Sequence, residues 1–286
     1  MNVPHILTEL EKIDPEVFDR LDTRRSSMKQ FVKASGKVAL ASVPFLFGSM
    51  FKKAYGQASS SLFDILNYAL TLEYLEAKFY VTGLASPNLI PAGAPLGAIQ
   101  TISAHETAHV NYLKAAITGA SGTPVAEPNF DFSGGSGSGN GPFATAFTDY
   151  GLFLAVAQTF EDTGVRAYKG QANMDALIAN NDVLKVALQI HSVEARHAAH
   201  IRQMRKALNL LVPNGVDVKP WITRNQSGIG TDAVQASYNG EDNTTQATVN
   251  IVTLNSELTV DTASEAFDEP LTKEAVLAIV GPFIAP

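Results

Sequence analysis

Two Glu-x-x-His motifs stand out among the residues that could do chemistry, Glu106 with His109 and Glu194 with His197. In an α-helix, positions i and i+3 lie on one face, about 5 Å apart along the axis. A carboxylate oxygen and an imidazole nitrogen at that spacing can bind one metal ion. The chain contains no cysteine, so any metal must be held by nitrogen and oxygen ligands. Each motif therefore predicts part of a metal site.

Both motifs interrupt a helical face that is otherwise apolar. The face around the second motif, in steps of three and four residues, is Ala187, Ile190, Glu194, His197, Ile201, Met204 and Leu208. The face around the first motif is Ile99, Ile102, Glu106, His109, Leu113 and Ala116. A buried, unpaired carboxylate is strongly destabilising unless a metal or another cation satisfies it. A surface location could explain one such motif, but two motifs on apolar faces favour a metal site.

Two more glutamates lie at matching positions on the preceding helical stretches. Glu73 precedes Glu106 by 33 residues, and Glu161 precedes Glu194 by the same 33 residues. The equal spacing indicates an internal repeat, with a two-fold axis through the bundle and two equivalent metal ions across that axis. The predicted metal ligands are Glu73, Glu106, His109, Glu161, Glu194 and His197.

Two tyrosines repeat with the same spacing. Tyr80 follows Glu73 by seven residues, and Tyr168 follows Glu161 by seven. Seven residues make nearly two helical turns, or roughly 10 Å, so neither tyrosine can reach the glutamate of its own helix. In an antiparallel bundle, Tyr80 could instead bind Glu161 and Tyr168 could bind Glu73, each holding a ligand in place. The alternative is that both are ordinary buried tyrosines.

The first helical stretch carries a second glutamate, Glu76, on the same face as Glu73. In the internal repeat, Gly164 occupies the position equivalent to Glu76, so we predict Glu73 as the ligand. Glu76 is then either an additional carboxylate of the site or a charge accommodated by the space at Gly164. Three further histidines are predicted to lie at the rim or in solvent, namely His105, His191 and His200.

The elements that must position these residues are four amphipathic helices, predicted over 61–83, 95–118, 143–170 and 182–211. The second and third are joined by a long crossover, Gly119 to Pro142, whose Gly/Ser run at 133–141 is typical of a flexible linker. After Pro213 the chain is predicted to be irregular, with one short helix that begins after Thr272 and ends at Gly281. The predicted fold is all-α, an antiparallel four-helix bundle with an irregular C-terminal tail.

Composition limits the classes of partner. The chain has 286 residues, of which 45% are hydrophobic, enough for a substantial core. With 21 basic and 28 acidic residues the formal net charge is −7, which disfavours binding to nucleic acid. The sequence leaves open both a monomer and a homo-oligomer.

The amino-terminal region resembles a twin-arginine export signal. The pair Arg24-Arg25 precedes an apolar run, Val38 to Phe51, which is followed by the small-x-small triplet at 56–58. The apolar run has 14 residues, shorter than the ~20 that a transmembrane helix needs, so no stable membrane span is expected. The predicted location is exported, periplasmic or extracellular. The alternative is that the apolar run forms a buried helix of the mature domain.

The four helices and their ligands resemble the ferritin-like di-iron carboxylate superfamily. Within it, the stretch Leu72 to Tyr80 and the closing stretch Ala266 to Thr272 resemble the exported bacterial ferritin-like domain family related to plant desiccation proteins. The expected organisation is a leader and signal over 1–58, a ferritin-like bundle over 59–212 and a C-terminal extension over 213–286.

This resemblance implies a centre of two Fe ions, or alternatively two Mn ions, that reacts with O2 or peroxide. His109 and His197 would each bind one metal. Glu106 and Glu194 would be the bridging, catalytic carboxylates, and each metal would also have a terminal ligand, Glu73 or Glu161.

Several functions are compatible with such a centre. Ferroxidase activity, peroxide disproportionation and substrate oxidation are all open. The rival hypothesis is a non-enzymatic, exported protein for stress protection or metal sequestration. Its support is the charge of the secreted form, because loss of nine basic and six acidic residues with 1–58 changes −7 to −10. A third reading, a bundle without metal, requires six buried ionisable side chains to satisfy one another.

Overall fold

The computed structural model describes residues 60–208 and 218–286, and the predicted export signal lies outside them. Its elements are helices α1 (Ser60–Ala85), α2 (Ala94–Gly119), α3 (Tyr150–Gln171), α4 (Asp175–Ile178), α5 (Asn181–Ala207), α6 (Val260–Ser264) and α7 (Lys273–Val280), and strands β1 (Thr245–Gln246) and β2 (Val249–Asn250). The strands form a two-stranded antiparallel hairpin. In this part of the chain, no helix has the length and hydrophobicity to cross a bilayer.

The four long helices pack as two pairs, α1 with α2 and α3 with α5. Helices α3 and α5 are antiparallel. Asp162 of α3 contacts Arg202 of α5, whereas Val165, which comes later in α3, contacts His191, which comes earlier in α5. The predicted all-α antiparallel bundle is confirmed.

The third long helix begins later than predicted, at Tyr150 instead of residue 143. The side chain of Asp149 accepts a hydrogen bond from the backbone N–H of Leu152 and caps the first turn. Residues 142–148 form turns before this cap. The fourth long helix ends at Ala207, before the predicted residue 211.

The Gly/Ser run of the crossover is a series of hydrogen-bonded turns, so the expectation of a flexible linker was wrong. The carboxylate of Asp131 accepts hydrogen bonds from the backbone N–H groups of Ser133, Gly137 and Gly139. Gly137 and Gly139 have φ values of 92° and 69°, in the region that favours glycine. The glycines here permit the turns that wrap one carboxylate.

The C-terminal extension packs on α3. The backbone N–H of Leu271 donates to the carbonyl of Arg166, and α7 contacts α3 directly. Thr272 caps α7 as expected, accepting from the N–H of Ala275. Because the extension covers the side of α3 that faces away from the other long helices, α3 is buried on every face from Phe153 to Tyr168.

Beneath the extension lies a buried polar cluster that sequence reasoning missed. Arg202 donates a hydrogen bond to Asp162, whose carboxylate also accepts from the hydroxyl of Tyr238 at 2.8 Å. Arg166 pairs with Glu241 at 2.7 Å. These interactions satisfy polar groups of α3 and α5 that would otherwise be buried without partners.

Candidate metal centre

Each of the four long helices contributes a glutamate to the centre of the bundle. Glu73, Glu106, Glu161 and Glu194 all have 0% of their surface exposed, and His197 has 5%. Four carboxylates in one buried cluster repel one another and lose hydration, so they require protons or cations nearby.

The potential ligand atoms form two groups of four, and within each group they lie within 4.8 Å of one another. One group consists of Glu73, Glu106, His109 and Glu194, and the other of Glu106, Glu161, Glu194 and His197. Glu106 and Glu194 belong to both groups. The structure thus brings together all six predicted ligands, with the two predicted bridging carboxylates shared.

Nδ1 of each histidine points into the cluster. Nδ1 of His109 lies 3.1 Å from Oε2 of Glu73 and 3.1 Å from Oε1 of Glu194. Nδ1 of His197 lies 2.8 Å from Oε1 of Glu106 and 3.2 Å from Oε2 of Glu161. Each imidazole therefore faces one unshared and at least one shared glutamate.

Some buried oxygens of the shared glutamates lack a hydrogen bond. Both carboxylate oxygens of Glu194 and Oε1 of Glu106 have no aligned donor, although imidazole nitrogens lie close to them. Such oxygens are costly to bury unless a cation binds them. Four carboxylates would also neutralise two divalent ions, and nitrogen and oxygen donors suit iron or manganese. The residues present fit a dinuclear centre.

Burial and neighbouring charges shift the pKa values of the cluster. Burial raises the pKa of Glu73 to about 8, and the charge of Glu194 adds to this effect. Burial alone would lower the pKa of His197, but the surrounding carboxylates, Glu161 first, raise it to about 12. Metal ligands must be deprotonated, so metal binding at this cluster would displace protons.

The two tyrosines make the predicted hydrogen bonds between halves. The hydroxyl of Tyr80 donates to Oε1 of Glu161, and the hydroxyl of Tyr168 donates to Oε1 of Glu73. In each glutamate the other oxygen, Oε2, faces a histidine Nδ1. One oxygen is thus held by the tyrosine, and the other is directed toward the cluster.

Glu76 is buried beside the cluster but belongs to neither group of ligand atoms. A Cβ atom at Gly164 would lie 3.0 Å from Oε1 of Glu76 and 3.7 Å from Oε2 of Glu194. The absence of a side chain at Gly164 therefore makes room for the Glu76 carboxyl. Burial raises the pKa of Glu76 well above its ordinary value, and the charge of Glu194 adds to the shift, which favours the neutral acid.

The prediction that His105 is only a rim or solvent residue was incomplete. His105 is exposed, but its Nδ1 lies 2.9 Å from Nε2 of His197, and the two rings are stacked. The internal repeat places Val193 at the corresponding position of the other half, so the repeat carried no signal for His105. His191 hydrogen-bonds through Nδ1 to the carbonyl of Val165, whereas His200 is exposed as predicted.

Comparison with known proteins agrees with this architecture. No curated protein and no solved structure matches the chain. The sequence profile of the Ferritin-like domain family matches residues 61–207, about half of the chain. This match covers all four long helices and all six clustered Glu and His residues, and we conclude that the chain belongs to the Ferritin-like domain family.

Proposed function

We propose that the protein is a dinuclear metal carboxylate protein that reacts with O2 or peroxide. The observation that carries this proposal is the pair of four-atom ligand groups that share Glu106 and Glu194. Two iron or two manganese ions bound there would supply Lewis acidity and electrons for reaction with the oxidant.

The clustered residues would have different roles in binding the two ions. Glu106 and Glu194 would contact both ions, Glu73 and His109 would complete one site, and the equivalent pair in the other half would complete the second. The tyrosine hydroxyls orient the unshared glutamates. Burial of the cluster excludes bulk water and strengthens each electrostatic interaction within it.

The test is metal analysis of the purified protein together with rates of O2 and peroxide consumption. The proposal predicts two metal ions per chain and consumption of at least one oxidant. Glu106→Ala and Glu194→Ala should each lose the second ion and most of the oxidant chemistry, because each removes a ligand common to both sites. Two retained ions in both variants would refute the bridging role, and no reaction with either oxidant would refute the activity.

A non-enzymatic protein for metal sequestration or stress protection is the second candidate. It is favoured by the acidic net charge of −7, which would become −10 without 1–58, and by an extension that contributes no residue to the two ligand groups. Binding of metal to the folded state would stabilise the protein without any turnover. A melting temperature that rises with metal while neither oxidant is consumed would favour this candidate.

Export is a further part of the proposal, supported by Arg24-Arg25, the apolar run and the similarity to the exported ferritin-like domain family related to desiccation proteins. Replacement of both arginines by lysine should retain the full-length chain inside bacterial cells if the twin-arginine route is used. Unchanged export of this variant would reject that route. The same proteins, purified from either compartment, can be analysed for iron and manganese.

A further inference from the structure

A cleft of about 770 Å³ lies between the first half of α2 and the second half of α5. Its lining includes the ring of His197, which is 5% exposed and also belongs to one of the ligand groups. The cleft therefore leads from the surface to the edge of the candidate metal centre. Its volume is in the range of sites that bind small organic molecules, about 300–1,000 Å³.

The described lining of the cleft contains no carboxylate and is mostly apolar. Its large apolar or aromatic side chains are Ile102, Tyr150, Met204 and Leu208. Three histidines and Gln203 also line it, and no Asp, Glu, Lys or Arg is among the described residues of the lining. Divalent cations are guided by oxygen ligands, above all carboxylates. A mostly apolar wall without carboxylates suits a neutral organic molecule better than a metal ion in transit.

The cleft also offers polar groups for orientation. The hydroxyl of Tyr150 is buried and has no hydrogen-bond partner among the described residues. Nδ1 of His197 faces the glutamates, so its Nε2–H can donate to Nδ1 of His105. His105 then carries its own proton on Nε2. The exposed His105 can donate a hydrogen bond to an oxygen atom of a ligand directly, and Tyr150 can do so once its side chain turns the buried hydroxyl toward the cleft.

From these features we infer that the cleft binds a small, neutral organic molecule with an apolar body and an oxygen acceptor, seated against His197. The inference deepens the proposed function, on which its place beside a metal centre rests. It names the class of molecule presented to that centre.

The test uses the full-length protein and three probes of one size: 1-acetonaphthone, which has a carbonyl acceptor, naphthalene, which has none, and 1-naphthoate, which is charged. Binding is measured by calorimetry with and without manganese. The ketone should bind most tightly. Tyr150→Phe should weaken its binding about 2- to 12-fold, the scale of one hydrogen bond, and leave the binding of naphthalene unchanged.

A blocking variant provides the second arm. Ala98 lines the cleft, so Ala98→Phe should reduce ketone affinity at least about tenfold by filling the space. Ala115→Phe, at an exposed position of the same helix, is the matched control and should have no effect. Failure of all three probes to bind, tightest binding of the naphthoate, or equal losses in both variants would overturn the inference.

The metal content of the same samples separates this inference from the proposed function. A protein that binds the ketone but takes up no metal supports the cleft and refutes the dinuclear centre. A protein that takes up two ions but binds no probe supports the centre and refutes the cleft.

Discussion

The hydroxyl of Tyr80 on α1 donates a hydrogen bond to the carboxylate of Glu161 on α3, and the same relationship recurs in the other half of the bundle between Tyr168 and Glu73. Each bond joins the first helix of one half to the first helix of the other. The internal repeat is therefore visible in contacts as well as in spacing, and each half holds a candidate ligand of the other.

Removal of these hydroxyls tests their role. Tyr80→Phe and Tyr168→Phe should each weaken metal affinity about 10- to 100-fold, because the unshared glutamate is then free to rotate. Competition titration measures the affinity, and circular dichroism checks the fold. Tyr74→Phe is the control, since the Tyr74 hydroxyl is bonded to the backbone carbonyl of Val125. Wild-type affinity in both of the first two variants would return these tyrosines to ordinary core packing.

The two glutamates of α1 should behave differently. Glu73→Gln should lower the metal content below two ions per chain, because Glu73 offers a ligand atom to one group. Glu76→Gln should retain nearly two, because the raised pKa of Glu76 already favours a neutral carboxyl. Elemental analysis measures the metal content of both proteins. A lower metal content in Glu76→Gln than in Glu73→Gln would move the predicted ligand by one helical turn.

The buried ion pair between Arg202 and Asp162, beneath the C-terminal extension, is expected to contribute to the stability of the fold. Arg202→Ala should lower the free energy of unfolding by about 3–5 kcal/mol, since it leaves Asp162 buried without its cation. The double variant Asp162→Asn/Arg202→Met should lose less. Lys185→Ala, at an exposed position of the same helix, is the control for chemical denaturation. A loss below about 1 kcal/mol for Arg202→Ala would show that water compensates the carboxylate.

The contribution of the crossover to stability is expected to depend on pH through Asp131. The hydrogen bond from Ser133 and those from backbone N–H groups lower the pKa of Asp131 to about 2 from its ordinary 3.8. A lowered pKa contributes stability above pH 3.8 that is lost as the pH falls through about 2. Asp131→Asn should therefore lower the melting temperature at pH 6, by an amount that shrinks toward pH 2.5.

The exposed Asp64 provides the comparison for this titration, because Asp64→Asn makes the same chemical change on the surface of α1. A melting-temperature difference for Asp131→Asn that stays constant from pH 6 to pH 2.5 would contradict the account of the crossover.

Much of the cluster could be predicted because its signals are local and periodic. The i, i+3 spacing of Glu106 and His109 and the repeat of 33 residues are properties of one helix or of two helices joined by a short connection. The equivalence of Gly164 and Glu76 could be read from the repeat alone, and the structure shows that Gly164 leaves space for the Glu76 carboxyl.

The features that were missed depend on contacts between distant segments. Asp162 and Arg166 have the pattern of an exposed helix face, and the extension, some 70 or more residues later, completes their burial. The ordering of the Gly/Ser run depends on Asp131 and on backbone bonds to the last residues of the chain, such as that from Ser136 to Pro282. Periodicity contains no information about such partners.

Glu106 and Glu194 are each expected to contact two metal ions. Anomalous X-ray diffraction from crystals of the protein loaded with iron or manganese tests it most directly. The account predicts two anomalous peaks about 3.5–4 Å apart, each within bonding distance of both carboxylates and of one histidine, His109 or His197. A single peak, or two peaks that do not share Glu106 and Glu194, would contradict it.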